Sequence, residues 1–550
     1  MRNTRARTRT ALAGTACAWL AAGLLAGPAA AASTAGASTA VASTAAASAG
    51  GQHGARAWHG APGAPGTERV SLAHDGGQLA RESYGYALST DGRWLTFTTD
   101  ADQVVPGDTD GRSDTFVRDL ATGRVERLAL TGPEWEVSDV SASADGMLLA
   151  FAAWRRDLPP DQPWQEDLFL HDRRTHRTER LLPPNPQPDK GLQMPVISAN
   201  GRVVAFQSVR ADLVPGDTNG VADIFALDRT DGTIRRANVT SDGAQAPRAA
   251  ARPVLSADGR QVGFISRSPV GDPGPGAGAS GGRNAGADAG ADGPVADGLA
   301  MDGPAAEGPG AERPGDAGAV TGVGDAGVVE AAGRAGRPGP PRSHPQDLWG
   351  ERGSGPGAGL SAPRKPRFEP MYVHDLGTGR TVAASVMQDG AEIGATTHAL
   401  SADGRFALFA SKSAVVVPGD TNGAFDLFLR DLKRGTTERV SRAPGGGAAA
   451  GDSLFGQFSG DGKTLVFVSG ASNLVPGDTN GVDDLFARDL RTGEVERLSL
   501  RTDGTQSTTP PDAYLTDAHA RTVVFGSADD HLVPGDTNAA TDLFARHRRG

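Results

Sequence analysis

The sequence predicts an all-β fold, a seven-bladed β-propeller whose last blade is closed by a strand from the N-terminal end. Three observations predict it: a recurring turn motif, a repeat length that barely varies, and a strand missing from the last repeat that turns up ahead of the first. The turn is S-x-D/N-G followed by an alternating apolar run, as in STDGRWLTF around Asp91, SADGMLLAF around Asp145, SANGRVVAF around Asn200, SADGRQVGF around Asp258, SADGRFALF around Asp403 and SGDGKTLVF around Asp461. A seventh copy, TDAHARTVVF, carries His519 at the Asp position. Successive marks are 54, 55, 58, 145, 58 and 58 residues apart. Self-similarity at a near-constant period is the sign of a repeat architecture. The one long interval becomes ordinary when a Gly, Ala, Pro and Asp-rich stretch, 269–367, is set aside as a disordered insertion in blade four.

Each repeat carries signals for four short strands and none for a helix. The first strand ends at the Ser, the Asp-Gly or Asn-Gly pair makes a tight turn, and a β-branched and aromatic second strand follows. The third opens on Asp and an aromatic, as in Asp114-Thr115-Phe116, Asp426-Leu427-Phe428 and Asp484-Leu485-Phe486. The fourth reads VERLAL from Val125, TERVSR from Thr437 and VERLSL from Val495. Four antiparallel strands per repeat make a propeller blade. The seventh repeat stops at DLFARHRRG without a fourth strand, while residues 67–72, TERVSL, match the missing one. Pairing them joins the chain ends and removes two open sheet edges.

The S-x-D-G-R strand followed by an Asp-Leu-Phe-x-Arg-Asp strand resembles the repeat of TolB-type and WD-type propellers, over residues 67–268 and 368–550. The resemblance implies the fold. It leaves the role open among periplasmic scaffolds, gates attached to peptidases, and lyases.

At the N-terminus Arg2, Arg5, Arg7 and Arg9 precede an apolar run from Ala11 to Leu25 and a small-residue stretch reaching Ser33. Charge, length and cleavage chemistry are those of a secretory signal peptide, 1–32. The run is shorter than the roughly 20 residues that span a bilayer. An exported, soluble location follows as the expectation, with residues 33–66 a flexible leader of Ala, Ser, Thr, Gly and Pro. The one cysteine, Cys17, lies inside the signal run, so the mature chain has no disulfide. The net charge of −11 argues against nucleic acid as a partner and favours cations or basic surfaces.

The most regular loop joins the second and third strands: VPGDTDGRSD, VPGDTNGVAD, VPGDTNGAFD, VPGDTNGVDD and VPGDTNAATD. Its candidate ligands are Asp108, Asp110 and Asp114 in blade one, Asp217, Asn219 and Asp223 in blade three, and Asp420, Asn422 and Asp426 in blade five. Blade six offers Asp478, Asn480 and Asp484, and blade seven Asp536, Asn538 and Asp542. Spaced Asp and Asn oxygens around a Gly turn are how short loops hold calcium, and the spacing resembles the second half of integrin-type calcium loops without their first carboxylate. The same residues also build a plain hairpin loop, in which Asx side chains bond nearby backbone N–H groups. The second reading is preferred.

No catalytic constellation stands out. A G-x-S-x-G around Ser280 sits in the insertion, away from any strand and helix. The histidines are scattered, and Trp135, Trp154 and Trp164 crowd into blade two. The expectation is a non-enzymatic, monomeric binding scaffold with a protein or glycan ligand on the acidic-loop face. A polysaccharide lyase or glycosidase with a funnel site and a calcium-dependent adhesion module are the alternatives. Irregular polar residues in the axial funnel would mark a site, and repeated ones would mark architecture.

Overall fold

The computed structural model describes residues 66–128, 134–155, 157, 166–185, 192–272 and 368–548. Within them lie seven four-stranded antiparallel sheets and no helix. In six blades the strands follow chain order, as in blade one with Ser83–Leu88, Trp94–Thr99, Asp114–Asp119 and Val125–Arg127. Blade seven is composite: Tyr514–Thr516, Thr522–Ser527 and Asp542–His547 are completed by Gly66–Arg69. The register Gly66↔His547 to Arg69↔Phe544 joins the two ends of the described chain. The signal, the leader up to residue 65 and most of the insertion lie outside the described residues, while Gly66, expected in the leader, opens the closing strand. The first residues of the insertion, 269–272, are described: Val270 is buried and Asp272 bridges Val382 on blade four.

The core repeats as strictly as the turn. Six residues after the turn Asp or Asn, or His519 in blade seven, stands a Phe in every second strand: Phe97, Phe151, Phe206, Phe264, Phe409, Phe467 and Phe525, all buried. Each faces an aromatic on the third strand, from Phe151–Phe169 at 5.4 Å between ring centroids to Phe525–Phe544 at 6.1 Å. Such pairs add about 0.5–1.5 kcal/mol beyond the area they bury.

The S-x-D/N-G turn is a closed hydrogen-bond unit. Ser143 Oγ donates to Asp145 at 2.6 Å, and the same carboxylate accepts the Met147 N–H while Ser143 Oγ accepts the Leu148 N–H. Blade seven has no such Ser or Asp, and Asp517 does both jobs, accepting N–H groups from His519, Arg521 and Thr522 at 2.8–3.0 Å. Handedness favours Gly in these turns, and in blade three crowding does too: Gly201 has φ +72, and a Cβ there would lie 2.5 Å from Leu148 of the neighbouring blade, whereas blade seven carries Ala520 at this place with φ 51.

The turns also bind neighbouring blades around the axis. Thr90 N donates to Ala144 O, Ala144 N to Ala199 O, Ala257 N to Ala402 O, Asp461 N to Ala518 O, and Ala518 N back to Thr90 O. The second position of the motif is small throughout because these backbones crowd together there.

Candidate functional site

In each acidic loop that is described, the charge is met by an arginine of the fourth strand of the same blade. Arg236 reaches Asp217 and Asp223 at 3.2 and 3.1 Å, Arg439 reaches Asp420 and Asp426 at 3.2 and 3.4 Å, and Arg69 reaches Asp536 and Asp542 at 2.8 and 3.2 Å. The Asn of the loop donates its amide to the third-strand Asp, as Asn480 does to Asp484 at 3.0 Å and Asn422 to Asp426 at 2.9 Å. A fourth-strand hydroxyl adds another bond, Ser499 to Asp484 at 2.6 Å and Ser71 to Asp542 at 2.8 Å. A glutamine from the next connection clamps the loop, Gln245 to Asp217 and Gln78 to Asp536.

Blade four departs from this pattern. It lacks the acidic loop, and Pro370 and Ala383 replace the Asp and the Arg, with Tyr372 opposite Ala383 where other blades set Phe opposite Arg. Blade two, which also lacks the acidic loop, keeps both residues, with Arg180 reaching Asp167 at 3.3 Å, so the Arg–Asp pair belongs to the blade and the loop carboxylate joins it where the loop is present. Blade one is the least neutralised. There Asp110 replaces Asn, Arg127 is 36% exposed, and oxygens of Asp102, Asp108 and Asp110 lie within 4.8 Å of one another. Arg127 still reaches Asp108 at 3.3 Å and Asp114 at 2.6 Å.

The axis is different. A channel of about 530 Å³ is lined by all seven innermost strands and so runs along the propeller axis. Four residues before each turn Ser, or before Asp517 in blade seven, the chain places Gly85, Asp139, Met194, Arg252, Thr397, Phe455 and Ala513, all lining the channel. No residue type occurs twice in this ring, whereas the turn and the aromatic pairs repeat almost without change.

Bulges set these side chains. The innermost strands of blades three, four and six shift register at Gln193/Val196, Ala251/Val254 and Leu454/Gln457. Met194, Arg252 and Phe455 then adopt φ of 53, 59 and 57°. Left-handed backbone costs a side-chain-bearing residue about 1–2 kcal/mol, so three such residues around one channel constitute strain that the surroundings must hold. They hold it with hydrogen bonds: the Met194 N–H goes to Asp139 at 3.3 Å, the Arg252 N–H to Gln207 and the Phe455 N–H to Thr397, each at 3.4 Å. The Phe455 carbonyl accepts from the Tyr514 hydroxyl.

His398 Nε2 lies 2.6 Å from the Arg252 carbonyl. A carbonyl only accepts, so Nε2 carries the proton. Burial pushes the imidazole down to about 4, which keeps it neutral, and its Nδ1 lone pair has no partner among the described residues. Among the described residues Arg252 has no carboxylate within 4.0 Å, and one Nη donates to the Thr396 carbonyl at 3.2 Å. Glu166, which accepts from Ser138 Oγ at 3.0 Å, is pushed up to about 8 by burial and by the negative charge of Asp139, so it is protonated at neutral pH.

No family model and no curated protein matches the chain. Solved structures similar to it include an oligogalacturonate lyase from Vibrio parahaemolyticus, at 10% identity and TM-score 0.45 over 88% of this chain and 93% of that one. The β-propeller domain of the Trilobed protease from Pyrococcus furiosus is similar at 9% identity and TM-score 0.42, over 85% and 96% of the two chains. Dipeptidyl peptidase 4 from Porphyromonas gingivalis is similar at 12% identity and TM-score 0.38, over 82% and 56%. The chain is a seven-bladed β-propeller. Likeness at this level concerns the fold alone. The expectation of a non-enzymatic protein is corrected all the same: the similar propellers belong to a lyase and to peptidases, so the architecture gives no ground for excluding catalysis.

The remaining sequence candidates are placed as follows. Trp135 lies against Arg155, Arg180 and Phe169, and Trp154 is buried in its sheet, so both pack; Trp164 and Ser280 lie outside the described residues. His171 and His374 bond the hydroxyls of Thr178 and Thr381 within their own sheets. Among the described residues no helix is long and apolar enough to cross a membrane. Sequence reading missed Asp139, Arg252, Thr397 and His398. The signal was present: aligning the repeats on the turn puts seven different residues in the column that lines the channel, and His398 stands one place after it.

Proposed function

We propose that this chain is an exported propeller of TolB-type repeat whose axial channel binds a carboxylated oligosaccharide and supports lyase chemistry on it. The observation that carries the reading is the ring four residues before the turns, where a repetitive molecule sets seven different residues around one cavity. Arg252, without a carboxylate of its own, supplies the fork that a ligand carboxylate fits. Asp139 and Gln457 accept and donate to hydroxyls, and Met194 and Phe455 offer apolar surface to sugar rings. A volume of about 530 Å³ suits one or two sugar units.

Elimination beside a carboxylate needs that carboxylate neutralised and a neutral base nearby. Arg252 meets the first need. His398, neutral and bonded through Nε2 to the Arg252 carbonyl, lines the same channel, and its buried Nδ1 meets the second need once the ring turns that nitrogen to the ligand. A glycosidase needs two carboxyls flanking the bond. Asp139 is the only carboxylate among the described residues lining the channel, which favours elimination.

The test is binding and turnover of uronic-acid oligosaccharides against neutral ones of equal length, followed by calorimetry and by the ultraviolet absorbance of an unsaturated uronate. Arg252→Met places there the residue that blade three carries at the same left-handed position, and it should weaken acidic binding at least about tenfold, the scale of one charge-assisted hydrogen bond. Equal affinity for neutral and acidic ligands, or an unchanged affinity in the variant, overturns the reading.

A further inference from the structure

A second cavity, of about 300 Å³, lies at the junction of blades five and six and is walled by guanidinium groups. The repeat shows why it is unusual. In the described connections from a fourth strand to the next blade, an Asp stands at one fixed place: Asp75, Asp242, Asp389 and Asp503. In the connection leaving blade five that place is taken by Gly445. The residue opening the connection is aliphatic elsewhere, Leu72, Val239, Val386 and Leu500, and here it is Arg442. Matching bridges, Leu72↔Gln78, Val239↔Gln245, Val386↔Glu392, Leu500↔Gln506 and Arg442↔Ala448, show that these positions are equivalent. One connection has thus lost a carboxylate and gained a guanidinium.

The gained charge faces another. Arg488 of blade six is 7% exposed, and its Nη1 donates to the Arg442 carbonyl at 2.9 Å. Arg442 Nε is buried with no hydrogen-bond partner, and Arg491 adds a third, exposed guanidinium to the wall. Among the described residues none of the three has a carboxylate within 4.0 Å, and exposed Glu438 is the only acid in the lining. Burial holds the Arg488 pKa below its ordinary value, with Arg442 adding to the effect and Glu438 opposing it. Two guanidiniums lining one small cavity, one of them nearly buried, are costly when exposed Glu438 is the only acid beside them. Nothing fills the space beside Gly445, where a Cβ would meet no atom within 4 Å.

We propose that this cavity binds a tetrahedral oxyanion, sulfate or phosphate, free or as an ester on a larger ligand. Arg442 and Arg488 supply fork-like donors for two of its oxygens, and Arg491 closes over the outer side.

The experiment titrates the full chain with sodium sulfate and with inorganic phosphate, against sodium chloride at matched ionic strength, by calorimetry and thermal melting. Saturable binding with stabilisation by the oxyanions alone is expected. Arg442→Leu installs the residue found at Leu72 and Leu500 and should lower the affinity at least tenfold. Arg491→Gln, an exposed change, should lower it severalfold with melting in chloride unchanged. Equal responses to oxyanion and chloride overturn the proposal. So does unchanged affinity in Arg442→Leu or, where that variant does not fold, in Arg491→Gln. Tighter binding of a sulfated or a phosphorylated sugar than of the free ion identifies the ester, and equal binding identifies the free ion; either result sustains the site.

Discussion

Arg497 Nη2 lies 2.9 Å from an Asp478 carboxylate oxygen, and each side chain is 6% exposed. The same guanidinium reaches Asp484 at 3.4 Å, so a side chain of the protein occupies the centre of the loop that spacing alone offers to a cation.

Arg497→Met should therefore destabilise the fold by about 3–5 kcal/mol, because removing one partner leaves buried carboxylates uncompensated. Adding Asp478→Asn and Asp484→Asn to that variant should recover part of the loss, which packing alone would not allow. Chemical denaturation of the three chains measures it. Wild-type melting should be equal in calcium, in magnesium at matched ionic strength, and in chelator; stabilisation specific to calcium would restore the loops as metal sites.

Closure rests on the strand Gly66–Arg69 and the residues just after it. Ser71 Oγ donates to Asp542 at 2.8 Å, and Arg69 holds Asp536 and Asp542. A chain starting at Ala73 loses the strand and both contacts, whereas one starting at Gly66 keeps them. At roughly 2–4 °C per kcal/mol for a domain of this size, the shorter chain should melt more than about 10 °C lower. Equal melting temperatures would refute the clasp.

Acid should reveal the pair formed by Arg93 and Asp119, joined at 2.8 and 3.1 Å. The Arg93 hydrogen bond holds the Asp119 carboxyl down to about 2, below its value of about 3.9 in an unfolded chain. A depressed carboxylate contributes stability that is present above the unfolded value and lost as pH falls through the folded one. The stability difference between wild type and Arg93→Met should be constant above about pH 5, shrink as pH falls toward 2, and below that keep only what Arg93 gains over the Trp94 ring. A difference that persists unchanged at pH 2 would show that the pair has no role in it.

The blades were legible because their causes are local. A Ser and an Asp two residues apart close a turn through their own backbone, and a Phe at a fixed offset follows from the period-2 strand, so one repeat suffices to recognise each. Counting the copies, and finding TERVSL ahead of the first, set the number of blades and their closure. The acidic loops were legible as loops but ambiguous as ligands, because Asp478, Arg497 and Gln506 are brought together by strand pairing and by the next connection.

What the sequence determined by itself is the repeated frame, since every copy states the same short-range chemistry. What only the tertiary structure decided is where the frame is broken on purpose. Asp139, Arg252 and His398 are 259 residues apart from first to last, and they share a channel because closing seven blades into a ring turns every innermost strand toward one axis. Arg442 and Arg488 likewise become neighbours only when blade five packs on blade six. Side-chain identity is written in the chain, but the distance between side chains on different blades is set by the closure of the whole ring.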